Sequence, residues 1–179
     1  MRYSFFIFGI LVLFCTSCSP TLTPFTQKLY EENKWSQEDL KRIQFYLSED
    51  IILRRRAEDG QTSIENGKIK SVNGEKVEEI IFREGTPCLF HFSPKEDRFA
   101  ISFEKSDNPK YLMFGPNPKL NNRYALLAKD WERRSGVVTY DGKEYRTSTE
   151  AAWACLLVDL KRAHSIQKES KVVKGAKIN

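Results

Sequence analysis

Histidine is nearly missing from this chain. His91 and His164 are the two copies among 179 residues, which excludes a His-rich metal site. No His-x-x-x-His pair supplies metal-ligand spacing, and the one Cys-x-x-Cys spacing, Cys15 to Cys18, lies in the N-terminal segment. The G-x-S-x-G elbow, the phosphate-cradling P-loop and the G-x-G-x-x-G turn are all absent. Cys88 and His91 are close in sequence, but three positions apart on a strand they face opposite ways and form no dyad. Long hydrophobic runs are lacking too. Phe5 to Phe14 spans ten residues, a helix of roughly 15 Å, about half a bilayer's hydrocarbon core. It is too short for a permanent span, and no internal repeat is visible.

The run has a defined context. Arg2 is a short basic start, Phe5–Phe14 an apolar centre, and small residues follow, which is the layout of an export signal. Its end, Leu13-Phe14-Cys15-Thr16-Ser17-Cys18, resembles the lipobox of bacterial lipoproteins, with Cys15 where leucine is usual. The resemblance covers residues 1–19 alone. It implies that Cys18 is lipidated and becomes the new N-terminus after cleavage of residues 1–17. Ser19 after that cysteine implies no inner-membrane retention. The following Ser-Pro-Thr-Leu-Thr lacks an acidic surface-export run. The expectation is therefore an outer-membrane lipoprotein facing the periplasm, its acyl chains contributing about 0.8 kcal/mol per buried CH₂. The alternative is a secreted or periplasmic protein cut by the general signal peptidase.

The length allows one domain with an ample core. The net charge of +5 is unevenly placed. Lys161 to Asn179 holds six basic residues against Glu169 alone, so the rest of the mature chain sits near neutrality. A basic pI raises nucleic acid as a partner. Export and the near-neutral body argue against it. Spaced lysines in the tail can instead touch anionic lipid, cell-wall polymer or an acidic partner, or merely solubilise a terminus. Cys88 and Cys155 remain in the body, and two readings stay open. A disulfide is allowed in an oxidising compartment and would contribute on the order of 4 kcal/mol. Two separate buried thiols are equally compatible with their apolar settings, PCLFHF and WACLLVDL.

In chain order, residues 18–27 read as a lipidated tether, 28–163 as one β-rich domain with an N-terminal helix, and 164–179 as a basic flexible tail. Ser36 with Asp39 makes a capping-box pair, Trp35 and Leu40 a hydrophobic staple, and Leu40, Ile43 and Leu47 one face, predicting a helix from Gln37 to Leu47. Asn66-Gly67, Asn73-Gly74 and Asp141-Gly142 mark hairpin turns. A core hairpin is expected with Cys88, Phe90 and Phe92 matched to Phe99, Ile101 and Phe103 across a turn at Ser93–Asp97. Further strands are predicted at Ile51–Arg56, Val77–Arg83, Tyr111–Phe114, Tyr124–Lys129, Gly136–Tyr140 and Glu144–Thr147. Ala152–Arg162 suits strand better than helix. The fold class is mainly β, or α+β with one N-terminal helix, as a small antiparallel barrel, roll or sandwich.

Three features are candidates for contact. Arg54 and Arg56 share one face of a predicted strand and Arg55 the other. They fit an anion site or a charged edge strand that resists aggregation. The segment from Tyr111 through Phe114 and Asn117 to Pro118 is turn-rich and suits a recognition loop with an aromatic anchor, or a crossover. The third is the basic tail. Acidic pairs such as Glu31-Glu32 and Glu78-Glu79 read as solvated charge. The expected function is non-enzymatic, with no cofactor: a membrane-anchored β module that binds or positions an envelope protein partner. An accessory subunit of a secretion or contractile apparatus belongs to that class, though no residue identifies one. A glycan- or lipid-binding lipoprotein is the alternative, and a hydrolase with dispersed carboxylates the third reading.

Overall fold

The computed structural model describes residues 21–56, 68–72, 75–106, 108–132 and 135–167. The lipobox with Cys18, the Asn66-Gly67 and Asn73-Gly74 dipeptides and the tail beyond residue 167 lie outside the described residues.

The chain enters through β1 (Leu22–Pro24), followed by two short helices, α1 (Gln27–Asn33) and α2 (Gln37–Arg42). Strands β2 (Gln44–Leu47), β3 (Ile51–Arg56), β4 (Lys68–Val72) and β5 (Glu75–Phe82) come next. They precede β6 (Pro87–Lys95), β7 (Arg98–Ser102), β8 (Tyr111–Asn117) and β9 (Arg123–Leu126). The remainder is β10 (Asp130–Trp131), β11 (Ser135–Tyr140), β12 (Lys143–Ser148), β13 (Leu156–Asp159) and α3 (Leu160–Gln167). The protein is thus mainly β, as its turn spacing predicts.

These strands form two antiparallel sheets, one ordered β1-β13-β2-β6-β7-β8-β9 and the other β10-β11-β12-β3-β5-β4. The sheets pack in a sandwich-like arrangement. Phe82 of the second sheet meets Phe103, just past β7 of the first, with ring centroids 4.5 Å apart. The Tyr140 hydroxyl crosses between layers to donate to Glu104 at 3.2 Å. The first sheet also curls on itself. Thr26 bridges Arg123 and Ala125 bridges Cys155, so its two ends approach without a continuous ladder. Inside the curl, Phe25, Phe45, Phe99 and Tyr124 are buried ring against ring. Aromatic rings bury large areas and favour such edge-to-face pairs, which makes this cluster the main source of cohesion for the sheet.

The capping box is present. Ser36 Oγ accepts from Asp39 N–H at 3.2 Å, and the Asp39 carboxylate accepts from Ser36 N–H at 2.9 Å. The helix it starts stops at Arg42, short of the predicted Leu47, and β2 follows. Ile43 and Leu47 satisfy either period, but Phe45 decides. Five positions after Leu40 it would leave the helix's apolar face, whereas on a strand Ile43, Phe45 and Leu47 alternate inward, and all three are buried. Pairing with β6 and β13 then overrides local helix propensity.

The ends of the domain also differ from expectation. The stretch predicted as tether already belongs to the body from Leu22, where β1 pairs with β13, and Phe25 is fully buried. Pro24 is tolerated there because β1 is an edge strand. At the other end, the predicted strand over Ala152–Arg162 shrinks to β13. A 3-10 turn (Thr149–Trp153) precedes it, and α3 extends through His164 into the segment predicted as flexible tail.

The Asp141-Gly142 turn is as predicted. Tyr140 pairs with Lys143, and both turn residues have positive φ, 52° and 69°. That backbone matches the twist of a two-residue hairpin. The core hairpin forms too, pairing Phe90 with Ile101 through a tight turn at Glu96-Asp97. One member departs. A bulge between Phe90 and Phe92 shifts the register, so Phe92 lies opposite Ala100 on the outer side instead of joining Cys88 and Phe90 in the core.

Candidate functional site

The arginine run lies on β3, which sits between β12 and β5 in the middle of its sheet, so it is not an edge strand. The β3/β5 register sets Arg54 opposite Glu79 and Arg55 opposite Glu78. Arg54 Nε donates to Glu79 at 2.8 Å, and Arg55 Nε donates to Glu78. The Tyr145 hydroxyl donates to the other Glu78 oxygen at 2.8 Å, and the Arg55 guanidinium lies 5.6 Å from the Tyr145 ring centroid. Glu78 is 1% exposed and Glu79 6% exposed, so the acidic pair is buried and ion-paired, not solvated. Opposite charges directly across strands attract, and buried carboxylates require such partners. Burial first, then the Glu78 contact, pushes the Tyr145 hydroxyl up to about 12. The signal for this network was legible: two charged runs of opposite sign, each inside a β-forming stretch.

A cleft of about 280 Å³ opens over Arg54, Arg55, Arg56, Glu144, Tyr145 and Arg146. Its charge is mostly internal. Arg146 pairs with Glu132 at 3.2 Å, and Glu144 with Lys129 at 2.9 Å. The four arginines of the cleft therefore stand against Glu78, Glu79 and Glu132, a small excess that gives little pull on a multivalent anion. The arrangement favours a structural network over an anion site.

The segment predicted as a recognition loop is strand β8. It divides its candidates. Phe114 is fully buried in the core. Asn117 caps the 3-10 turn Pro118–Leu120, its side chain accepting from Lys119 N–H at 3.0 Å. Tyr111 remains available, 37% exposed on the outer face. The bulge in β6 brings Phe92 to it edge-on, ring centroids 5.1 Å apart, and His91 meets Phe92 edge-to-face at 5.2 Å. His91 and Tyr111 are 6.4 Å apart, completing a three-ring surface cluster. Neither His91 nor Phe92 was singled out for this role by sequence reasoning. The signal would have been the bulge, which alternation alone does not reveal.

Beside Tyr111 and Met113 lies a cleft of about 420 Å³, also lined by Asn108, Lys110, Thr139 and Asp141. Lys110 Nζ is 3.3 Å from the Asp141 carboxylate, so one ion pair crosses its wall. The outer face of β6–β8 thus offers three clustered rings next to a polar-walled recess.

Cys88 and Cys155 are both free, buried thiols. Cys88 lies opposite Phe45 on one side of β2, while Cys155 precedes β13 on the other and donates its thiol to Ser48 Oγ at 3.2 Å. Strands two apart in a sheet are separated by roughly 10 Å, beyond the ~7 Å that a disulfide spans. The disulfide reading is therefore corrected to two thiols. Burial pushes the Cys88 thiol up, out of the nucleophilic range. Among the described residues no group of three or more His, Cys, Asp or Glu side chains is placed to hold a metal ion. Compared with protein-family models, curated proteins and solved structures, the chain matches none.

Proposed function

We propose that this protein is a non-enzymatic outer-membrane lipoprotein, anchored through Cys18, that binds an envelope protein partner in the periplasm. The observation that carries the partner reading is the surface cluster of exposed His91 and Tyr111 with half-buried Phe92 between them. Rigid aromatic side chains on a hydrogen-bonded sheet lose little entropy on binding and dominate protein interfaces. The recess beside them supports a second reading, a glycan carrier, because Tyr111 offers a flat face next to Asn108, Lys110 and Asp141.

Copurification from detergent-solubilised envelopes tests the choice. The partner reading expects a stoichiometric protein that is lost with Tyr111→Ala; recovery of the body alone, or with bound sugar, supports the carrier. The anchor has its own check. Cys18→Ala releases the body from washed membranes, and retention of that variant contradicts lipidation as the anchor.

A further inference from the structure

We infer that the pole where the chain enters β1 and leaves β13 is a membrane-contacting face that binds an anionic lipid bilayer. The inference rests on the anchored reading for which way the molecule faces. β1 and β13 are antiparallel, with Leu22 opposite Asp159. The residues before Leu22 and those after Asp159 therefore issue from the same end of the sheet. Cys18 precedes Leu22 by four residues, a reach of about 14 Å at full extension. The proposed lipid attachment and the start of α3 are thereby held within a short distance of each other.

The charge at this end fits the surface it would meet. Lys161 and Arg162 are exposed in the first turn of α3. Lys28 and Arg123 line the adjoining groove with Pro24 and Leu160. Two acids, Asp159 and Glu32, offset part of this charge. Asp159 accepts from the Lys161 and Arg162 N–H groups at 3.0 and 3.3 Å and lies 3.9 Å from Arg162 Nε, and Glu32 pairs with Lys28 at 3.7 Å. One acyl signal with a basic patch makes a two-signal anchor, and each basic residue at an anionic surface contributes about fivefold in partitioning.

The test uses the mature chain with Cys18→Ser, which has no acyl group, and sedimentation with vesicles. Vesicles of phosphatidylglycerol and phosphatidylethanolamine are compared with pure phosphatidylcholine. The expected result is at least tenfold stronger partitioning onto the anionic vesicles at low salt, fading as salt screens the charges. Lys161→Glu with Arg162→Glu lowers it by about tenfold or more. Lys76→Glu with Lys143→Glu, the same charge change on the other sheet, leaves it within about threefold. Equal partitioning onto both vesicle types, or equal loss in both double variants, overturns the proposal. Failure of the lipoprotein reading is seen separately, as wild-type chain absent from cell membranes whatever the vesicles report.

Discussion

Glu78 is the residue most exposed to loss of a single neighbour. Its two oxygens are held by Arg55 and the Tyr145 hydroxyl. Arg55→Met leaves a buried carboxylate without its cation and is expected to cost about 3–5 kcal/mol. Replacing all three, as Arg55→Met with Glu78→Leu and Tyr145→Phe, is expected to recover most of that, because the apolar set leaves neither an uncompensated charge nor an orphaned hydroxyl. Urea denaturation of the single and triple variants measures the difference. Tyr145→Phe removes one donor from Glu78 and is expected to cost about 1–3 kcal/mol. The same hydroxyl sets an alkaline limit. Its folded pKa is raised to about 12, above the ordinary tyrosine value of about 10. Its contribution is full below pH ~10 and declines as pH rises toward 12, since the unfolded chain ionises first. Tyr124 and Tyr140 are raised too, chiefly by burial and then by Asp97 and Glu104 respectively. The tyrosinate absorbance of these three residues should therefore rise late, together with unfolding, and Tyr145→Phe should lessen the alkaline loss of stability.

At the level of elements, the capping box gives a direct expectation. Ser36→Ala removes the acceptor for Asp39 N–H and should lower stability by about 1 kcal/mol, read as a shift in the denaturation midpoint. The hydrogen bonds from Ser36 hold the Asp39 carboxyl below its usual range, so that cap is present above pH ~4 and fades as pH falls. These elements also separate what was legible in the sequence from what was not. The Asp141-Gly142 hairpin was legible because positive φ is a local demand that few residue types meet. The length of α2 was not, because Ile43 and Leu47 suit two periods and the pairing of β2 with distant β13 decides between them. The β6 bulge is likewise a tertiary event, and it moved Phe92 from the expected core face to the surface cluster. Of the three residues now proposed for contact, Tyr111 was a candidate in the sequence; His91 and Phe92 were hidden by that register shift.

For the molecule as a whole, the start of β1 and the end of β13 share one pole, while the rings of His91, Phe92 and Tyr111 sit on the outer face of β6–β8. The first surface is proposed to meet the membrane and the second a partner. Tyr111→Ala should therefore lower partner recovery by at least tenfold while leaving the denaturation midpoint nearly unchanged, because the ring is partly exposed and lies outside the core. The most direct test places a photoreactive phenylalanine analogue at position 111 in cells and, as a control, at exposed Lys143. The expected result is one discrete adduct with an envelope protein from position 111 and none from position 143. No adduct at 111, or the same adducts from both positions, would contradict the partner reading.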